Sequence, residues 1–165
     1  RPTPSKTHYT FNIRDLSKVI GGLMQADESV IVNTEQCAQL FAHEAARIFH
    51  DRLVSKEDRS AFFSMLSDNL NDYFKFKLSS EQLEQHPILF TDFVDQVEGS
   101  KGVYKPMGDF VRIQRMLDEI YMRQSMGNAQ APHLVFFRDA MEHILRAARV
   151  FRQPGGHMLL VSEHM

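Results

Sequence analysis

The sequence predicts a mainly α-helical protein, in which a bundle of helices is followed by further helices and one short C-terminal strand. Two observations support this fold class. Apolar residues recur every three or four positions along most of the chain, and polar residues that cap helices stand just before these runs. One run, 157–161 (HMLLV), instead predicts a buried strand. Because a strand needs a sheet, we expect it to belong to an incomplete α/β subdomain.

The first helix is predicted to start at Asn12, which is a favourable N-cap, with Asp15 three positions later as in a capping box. The pair Gly21-Gly22 is expected to weaken this helix. Its apolar residues at helical spacing are Ile13, Leu16, Ile20 and Leu23.

Two more helices complete the predicted bundle. The second spans about 34–53, starts at a capping box at 33–36 (NTEQ), and has an apolar face of Cys37, Leu40, Phe41, Ala45, Ile48 and Phe49. The third starts at 55–58 (SKED) and carries Phe62, Phe63, Leu66, Leu70, Tyr73 and Phe74. Helices with matching apolar stripes pack into a bundle.

The pattern is weaker between about 75 and 105. A short helix is predicted to start at 78–81 and to end at His86-Pro87, and the apolar segment 88–94 fits either a strand or a packed loop. The run 99–102 (GSKG) predicts a turn or linker, which we take as the domain boundary.

Two helices are predicted beyond that boundary. The first follows 106–109 (PMGD) and carries Phe110, Ile113, Leu117 and Ile120. The last spans roughly 134–152 and places on one side Phe137, Met141, Ile144, Leu145, Ala148 and Phe151.

Composition restricts the function classes. At 165 residues, 43% hydrophobic and 24% charged, the chain can bury a core, and its formal net charge of −2 provides no basic field for nucleic acid. The single cysteine excludes an internal disulfide and favours the cytosol, and no apolar run suggests a membrane span or a signal peptide. Both ends of the chain look cut, so we expect it to continue in both directions.

Several side chains resemble parts of catalytic or metal sites. His43-Glu44 suggests a zinc-protease helix, but position 47, where the second histidine would stand, is Arg47. His43 and His50 are seven residues apart, so we predict no metal site and expect a partly exposed helix face instead.

Two further candidates have simpler explanations. Cys37 lies on the apolar stripe of the second helix, where a cysteine is usually a small core residue. Asp139 and Glu142, with His143, lie near Arg138 and Arg146, so surface ion pairs are expected there rather than catalysis.

Arg14 is the residue that local sequence does not explain. It falls in the first turn of its helix, where the free N–H groups and the helix dipole already carry positive partial charge. Such a helix start with a guanidinium beside it suits a phosphate, because arginine binds phosphate oxygens bidentately. The alternative is a solvated arginine that pairs with Asp15 or with the neighbours of Lys18.

Several long motifs resemble those of dynein heavy chains, in the right order. Residues 2–19 (PTPSKTHYTFNIRDLSKV) resemble the family's PTPxKxHYxFNLRDxSRV, at the start of the helical lid of the third AAA+ module. Residues 43–53 (HEAARIFHDRL) resemble HExxRVFxDRL, residues 90–93 (FTDF) resemble FGDF, and residues 134–144 (LVFFRDAMEHI) resemble LVFFxDAxEHI. The resemblance covers nearly the whole chain.

The resemblance implies a role for each part of the chain. Residues 1–80 correspond to the lid of the third module, 81–105 to a connecting segment, and 106–165 to the N-terminal part of the large subdomain of the fourth. Arg14 matches the sensor-2 arginine, which reaches the nucleotide phosphates, and Asn12 and Asp15 would set the helix that aims it. The resemblance therefore implies that the fold is a helical AAA+ lid bundle followed by an incomplete AAA+ subdomain.

The resemblance also bears on ATP. Leu134, Val135 and Phe136 match the segment near the adenine in a complete fourth module, but 162–165 (SEHM) departs from the family's phosphate loop, with no glycine or lysine. We therefore predict no catalytic residue, no metal site, and neither tight binding nor hydrolysis of ATP by this chain alone. In the complete ring, ATP or ADP with Mg would bind.

The implied function is a non-catalytic fragment of a motor ring, which couples the nucleotide state of a regulatory site to movement on microtubules. The implied partners are the rest of the AAA+ ring, microtubules, and intermediate and light chains, with no nucleic acid and no membrane. The implied location is the cytoplasm and cytoskeleton, and the motifs at 50–53 and 135–144 favour a cilium or flagellum axoneme. One alternative is a helical interaction module from a truncated product; a self-sufficient enzyme would need a nucleophile, metal set or phosphate loop that the sequence does not offer.

Overall fold

The computed structural model describes residues 2–93, 102–128 and 130–161 of the chain. It contains two compact units, Arg1–Pro106 and Met107–Met165. The helices are α1 (Ile13–Leu23), α2 (Thr34–Ile48), α3 (Lys56–Phe74), α4 (Ser80–Gln85), α5 (Phe110–Ser125) and α6 (Arg138–Arg152), and the strands are β1 (Leu89–Thr91) and β2 (Lys105–Met107). The mainly α-helical fold class is therefore confirmed.

The first unit is built around α2, which packs against α1 and against α3, while α3 also packs against α4. Small residues of α2 allow this close approach, because they face the bulky residues of α3 and α4. The core consists of Ala38, Ala42, Ala45, Phe63, Leu66, Leu70 and Leu83. The predicted bundle therefore forms.

The buried face of α1 differs from the prediction. The helix runs through Gly21-Gly22 to Leu23, and its buried residues are Asp15, Val19 and Gly22. Most of the predicted apolar series is exposed, at 78% for Ile13, 54% for Leu16 and 60% for Ile20. The reason is close packing: a Cβ on Gly22 would lie 1.9 Å from Oε2 of Glu44, so only the glycine face fits against α2.

The second predicted helix is shorter than expected. It ends at Ile48 rather than near 53, and a single 3₁₀ turn, His50–Arg52, follows. Leu53 is buried and extended (φ −83°, ψ 132°), because the chain must turn here to reach Ser55, which caps α3.

The apolar segment 88–94 forms a strand over part of its length. Strand β1 is fully buried and pairs with β2 in a two-stranded sheet. Phe90 and Tyr104 pack there against Leu40 of α2. The residues 94 and 99–101 of the predicted strand and linker lie outside the described part of the chain.

In the second unit, α5 begins where Asp109 caps it, with its side chain accepting from the N–H of Arg112 at 2.8 Å. The last helix begins at Arg138 rather than at 134. Residues 132–136 lie along α5 instead: the hydroxyl of Tyr121 donates to the carbonyl of Pro132, and its ring lies 6.2 Å from that of Phe136. These contacts oppose a helical start at 134.

The predicted strand at 157–161 does not form. These residues have no regular secondary structure, and Leu159, Leu160 and Val161 are 79–85% exposed. A buried strand needs a neighbouring strand, and the described residues offer none to it. No helix in the described ranges is long and apolar enough to cross a lipid bilayer.

Candidate functional site

Arg14 lies in the first turn of α1, in a helix start that the local sequence fixes. The side chain of Asn12 accepts from the N–H of Arg14 at 2.9 Å, and that of Asp15 accepts from the N–H of Asn12 at 3.1 Å. The side chain of Asn12 also accepts from the N–H of Asp15, so both bonds of the predicted capping box are present. The backbone that carries Arg14 is therefore held at its N-terminal end.

The side chain of Arg14 is exposed, and no described residue forms an ion pair or hydrogen bond with its guanidinium. Of the alternative, a solvated arginine that pairs with Asp15 or with the neighbours of Lys18, the exposure is present but the pair with Asp15 is not, because other cations occupy that carboxylate. Arg52 lies 3.1 Å and Lys18 3.7 Å from its oxygens. Within the described chain, Arg14 is a cation at a helix N-terminus whose guanidinium is paired with no anion.

Asp15 is 5% exposed, so its charge depends on the groups around it. The hydrogen bond from the N–H of Asn12 lowers the pKa of Asp15 below its ordinary value, and Arg52 and Lys18 lower it further, whereas burial opposes them. The capping carboxylate therefore stays ionised at neutral pH.

Arg52, which the sequence interpretation did not single out, connects this helix start to the segment before it. Its guanidinium donates to the carbonyl oxygens of His8 at 2.9 Å and Thr10 at 3.4 Å, and stacks 4.7 Å from the ring centre of Phe11. The ring of His8 in turn lies 3.0 Å from the carbonyl oxygen of Arg52. Arg52 lies within the 43–53 motif, but a motif match assigns it no role.

The same N-terminal segment is held a second time at the start of α3. Asp58 bonds to Lys6, to the hydroxyl of Tyr9 at 2.9 Å and to that of Ser55 at 2.7 Å. These bonds, led by the one from Lys6, lower the pKa of Asp58 to about 2. Residues 6–11 are thus fastened to the bundle on both sides of Leu53.

The pair His43-Glu44 does not lie on a partly exposed face, as expected, but is 3% and 1% exposed. The hydroxyl of Tyr104 donates to Oε1 of Glu44 at 2.8 Å, and Nδ1 of His43 lies 2.8 Å from the carbonyl oxygen of Ile88. The expectation was wrong because Gly22 of α1 and Tyr104, both distant in sequence, enclose the carboxylate of Glu44. In the described ranges no three metal-ligating side chains converge.

The outer face of α1 carries an exposed apolar row, Ile13, Leu16, Ile20 and Met24, which we call the α1 stripe. Arg14 and Lys18, one turn apart, border it. Large apolar side chains in one row are usually covered by another surface.

In the second unit, Leu134, Val135 and Phe136 line one wall of a cavity of about 490 Å³. The lining also includes residues of α5, among them Gln114 and Tyr121. These three predicted adenine-proximal residues are consecutive in sequence, and they lie in the other unit from Arg14.

The remaining sequence candidates are Glu142 and Cys37. Glu142 pairs with Arg138 at 3.3 Å and with Arg146 at 3.1 Å, each four residues away on α6. Cys37 is only half-buried on α2, so it is not the core residue that was expected, because Ala38 and Leu40 face the core instead. Neither feature adds to the candidate site.

Comparison with known proteins gives a consistent result. Residues 2–59 match the family model described as dynein heavy chain, ATPase lid domain. Over 97% of its length, the chain is 38% identical to human dynein axonemal heavy chain 6, 35% identical to human dynein axonemal heavy chain 3 and 36% identical to mouse dynein axonemal heavy chain 2. It spans 4% of the length of each of these relatives.

Proposed function

Because this chain belongs to the dynein heavy chain family, we propose that residues 1–80, within its first unit, are the lid of an ATP-binding module and that Arg14 senses the bound phosphates. The observation that carries this proposal is the state of Arg14. Its backbone is fixed by a complete capping box, while its guanidinium is exposed and free of any partner within the described chain. A cation held in this way can bind an anion that arrives from another part of the protein.

The sensing step follows from the charges. Arginine forms charge-assisted, often bidentate hydrogen bonds with phosphate oxygens, and the free N–H groups of the first turn of α1 add positive potential. When the γ-phosphate leaves, the contacts to it are lost, so the lid is held less firmly against the nucleotide. In this proposal the module is the third of the ring, and its site is regulatory.

We further propose that the second unit begins the large subdomain of the fourth module. The placement of Leu134, Val135 and Phe136 around one cavity supports a position near the adenine. Residues 162–165, where the sequence departs from a phosphate loop, lie outside the described residues. ATP or ADP with Mg would be bound by the complete ring, and no ATP hydrolysis is expected from this chain alone.

In the parent protein, these units would couple nucleotide state to movement on microtubules. The proposed partners are the rest of the AAA+ ring, microtubules, and intermediate and light chains. The names of the axonemal relatives favour a place in the axoneme of a cilium or flagellum. The α1 stripe supports a ring context as well, because the ring would supply a surface to cover it.

The second candidate function is a helical interaction module, and the same α1 stripe favours it. In that case the stripe would bind a partner protein, and ATP would have no influence on that binding. The two functions therefore differ in whether Arg14 matters for the response to ATP.

The experiment introduces Arg14→Ala into a dynein motor domain that contains this chain and measures release from microtubules as ATP is raised. A hydrogen bond to a charged group is worth about 1.5–3 kcal/mol, so the variant should need roughly ten times more ATP, or more. Lys18→Ala removes a cation one turn further along and serves as the control. If Arg14→Ala responds to ATP like the unmodified motor, or if Lys18→Ala loses as much of the response, the proposed function is wrong.

A further inference from the structure

Arg52 joins three pieces of the first unit through one side chain. Nη1 bonds to the carboxylate of Asp15 on α1, and Nη2 bonds to the carbonyl of His8 and more weakly to that of Thr10. The guanidinium also stacks on Phe11. Because Arg52 ends the 3₁₀ turn after α2, these contacts tie the segment before α1, and α1 itself, to the body of the bundle.

The contacts of Arg52 bear on the candidate site because, within the described chain, the side chain of Arg14 has no hydrogen bond or ion pair of its own to hold it in place. Since the guanidinium of Arg14 forms no hydrogen bond or ion pair with a described residue, its reach is set mainly by the position of its backbone. That backbone is set by the segment 8–12 and by the Asp15 carboxylate, and Arg52 holds both.

We propose that Arg52 is a positioning residue for Arg14: it holds the first turn of α1 at the angle from which Arg14 reaches the phosphate. This inference rests on the proposed function. Arg52 does not touch the nucleotide; it acts through Asp15 and through the carbonyls of the entry segment.

The chemistry favours arginine over lysine at this position. A guanidinium presents donors in a fixed plane, so it can bond a carboxylate with one nitrogen and a carbonyl with the other while it stacks on an aromatic ring. A lysine would keep the charge near Asp15 but could not reproduce this geometry. Lys18 is not a substitute, because it is 64% exposed and lies 3.7 Å from the carboxylate.

The functional test compares Arg52→Gln, Arg52→Lys, Arg14→Ala and the Arg14→Ala/Arg52→Gln double variant in the motor domain. The readout is the ATP concentration for half-maximal release from microtubules. A positioning role predicts that Arg52→Gln loses about as much ATP response as Arg14→Ala, roughly tenfold or more, and that the double variant is no worse than Arg14→Ala. Arg52→Lys should fall between Arg52→Gln and the unmodified motor.

Arg59 supplies the matched control. Its Nε donates to the carbonyl of Leu53 at 2.9 Å, so it also fastens the turn after α2, but among the described residues it forms no hydrogen bond or ion pair with α1. Arg59→Gln should leave the ATP response within about twofold of the unmodified motor. An equal loss in Arg59→Gln and Arg52→Gln would mean that both act through the stability of the turn, and it would overturn the proposal.

A second readout separates positioning from folding. In the 165-residue chain, the ¹³C signal of the Asp15 carboxyl can be followed by NMR as the pH is lowered. Loss of the Arg52 guanidinium should move the titration of the Asp15 carboxyl to higher pH in Arg52→Gln and by a smaller amount in Arg52→Lys. Arg59→Gln should not move it. An unchanged Asp15 titration in Arg52→Gln would show that the contact has no consequence and would refute the inference.

These outcomes separate a failure of the proposed function from a failure of the role proposed for Arg52. If Arg14→Ala responds to ATP like the unmodified motor, the proposed function is wrong. If Arg14→Ala is defective while Arg52→Gln is normal, or if the two losses add in the double variant, the proposed function stands and the role of Arg52 is refuted.

Discussion

Gly22→Ala tests the packing of α1 on α2, since this helix carries the candidate site. The added Cβ would lie 1.9 Å from Oε2, 2.3 Å from Cδ and 2.9 Å from Cγ of Glu44. Non-bonded heavy atoms make their best contacts at about 3.5–4.0 Å, so either α1 or the side chain of Glu44 must move. Glu44 is 1% exposed and holds the hydroxyl of Tyr104, so its carboxylate has no free space to enter.

The expected cost follows from three terms. Overpacking a core costs about 1–3 kcal/mol, and the loss of a hydrogen bond to a charged group costs about 1.5–3 kcal/mol. Replacing glycine by alanine within a helix returns about 1 kcal/mol. We therefore expect Gly22→Ala to lower the free energy of unfolding by about 1.5–5 kcal/mol.

Gly21→Ala is the matched control, because it makes the same substitution one position earlier. A Cβ on Gly21 would meet nothing within 4 Å, so only the backbone effect remains. This variant should gain about 0.5–1 kcal/mol. Urea denaturation followed by circular dichroism of the helices measures both variants under the same conditions.

A double-mutant cycle identifies the cause. In a Glu44→Ala background the clash is absent, so Gly22→Ala should cost nothing or stabilise slightly. If Gly22→Ala costs no more than Gly21→Ala in the unmodified chain, or costs as much without the Glu44 carboxylate as with it, the close approach of α1 and Glu44 is wrong.

Two further predictions concern the fastening of the N-terminal segment. The pKa of Asp58 is lowered to about 2, so its stabilising effect is complete above about pH 4 and is lost as the pH falls towards 2. Lys6→Gln removes the main cause of this shift, and acid unfolding followed by circular dichroism should then begin at higher pH; an identical acid transition would contradict the role of Lys6. Asp15→Ala removes half of the capping box and should cost about 1–2 kcal/mol in urea denaturation, whereas Ser17→Ala, on the exposed side of the same helix, should stay within about 0.5 kcal/mol. Equal effects of these two variants would show that the box adds nothing.

The starts of most helices were predictable because their signals are local, whereas α6, whose N-cap Phe137 forms no side-chain bond, starts later than predicted. Asn12, Asn33, Ser55 and Asp109 each accept a hydrogen bond from a backbone N–H two or three residues ahead, so a short stretch of sequence contains the whole interaction. The short helix α4 and its end at His86 follow the same logic.

The faces of the helices were not predictable in the same way. The apolar series of α1 is its exposed side, because the buried side is decided by the fit of Gly22 against Glu44, 22 positions away in the sequence. The burial of His43 depends on the same packing. Periodicity shows that a helix has an apolar side, but it does not identify the surface that covers that side.

The candidate site likewise has one residue that could be predicted from the sequence and one that could not. Arg14 could be found because a cation in the first turn conflicts with the helix dipole, and a family motif explained it. Arg52 could not, because its contacts with Asp15 and with the carbonyls of residues 8 and 10 join positions 37 to 44 residues apart. The strand predicted at 157–161 failed for a related reason: pairing needs a partner that local sequence does not specify.

The most direct test of the central claim compares the affinities of the lid-containing module for ATP and ADP in the motor domain, with and without Arg14→Ala. Fluorescent mant-ATP and mant-ADP serve as the probes. If Arg14 senses the γ-phosphate, the substitution should weaken mant-ATP binding at this site by about tenfold or more and change mant-ADP binding much less. Equal weakening of both nucleotides, or of neither, would contradict the account.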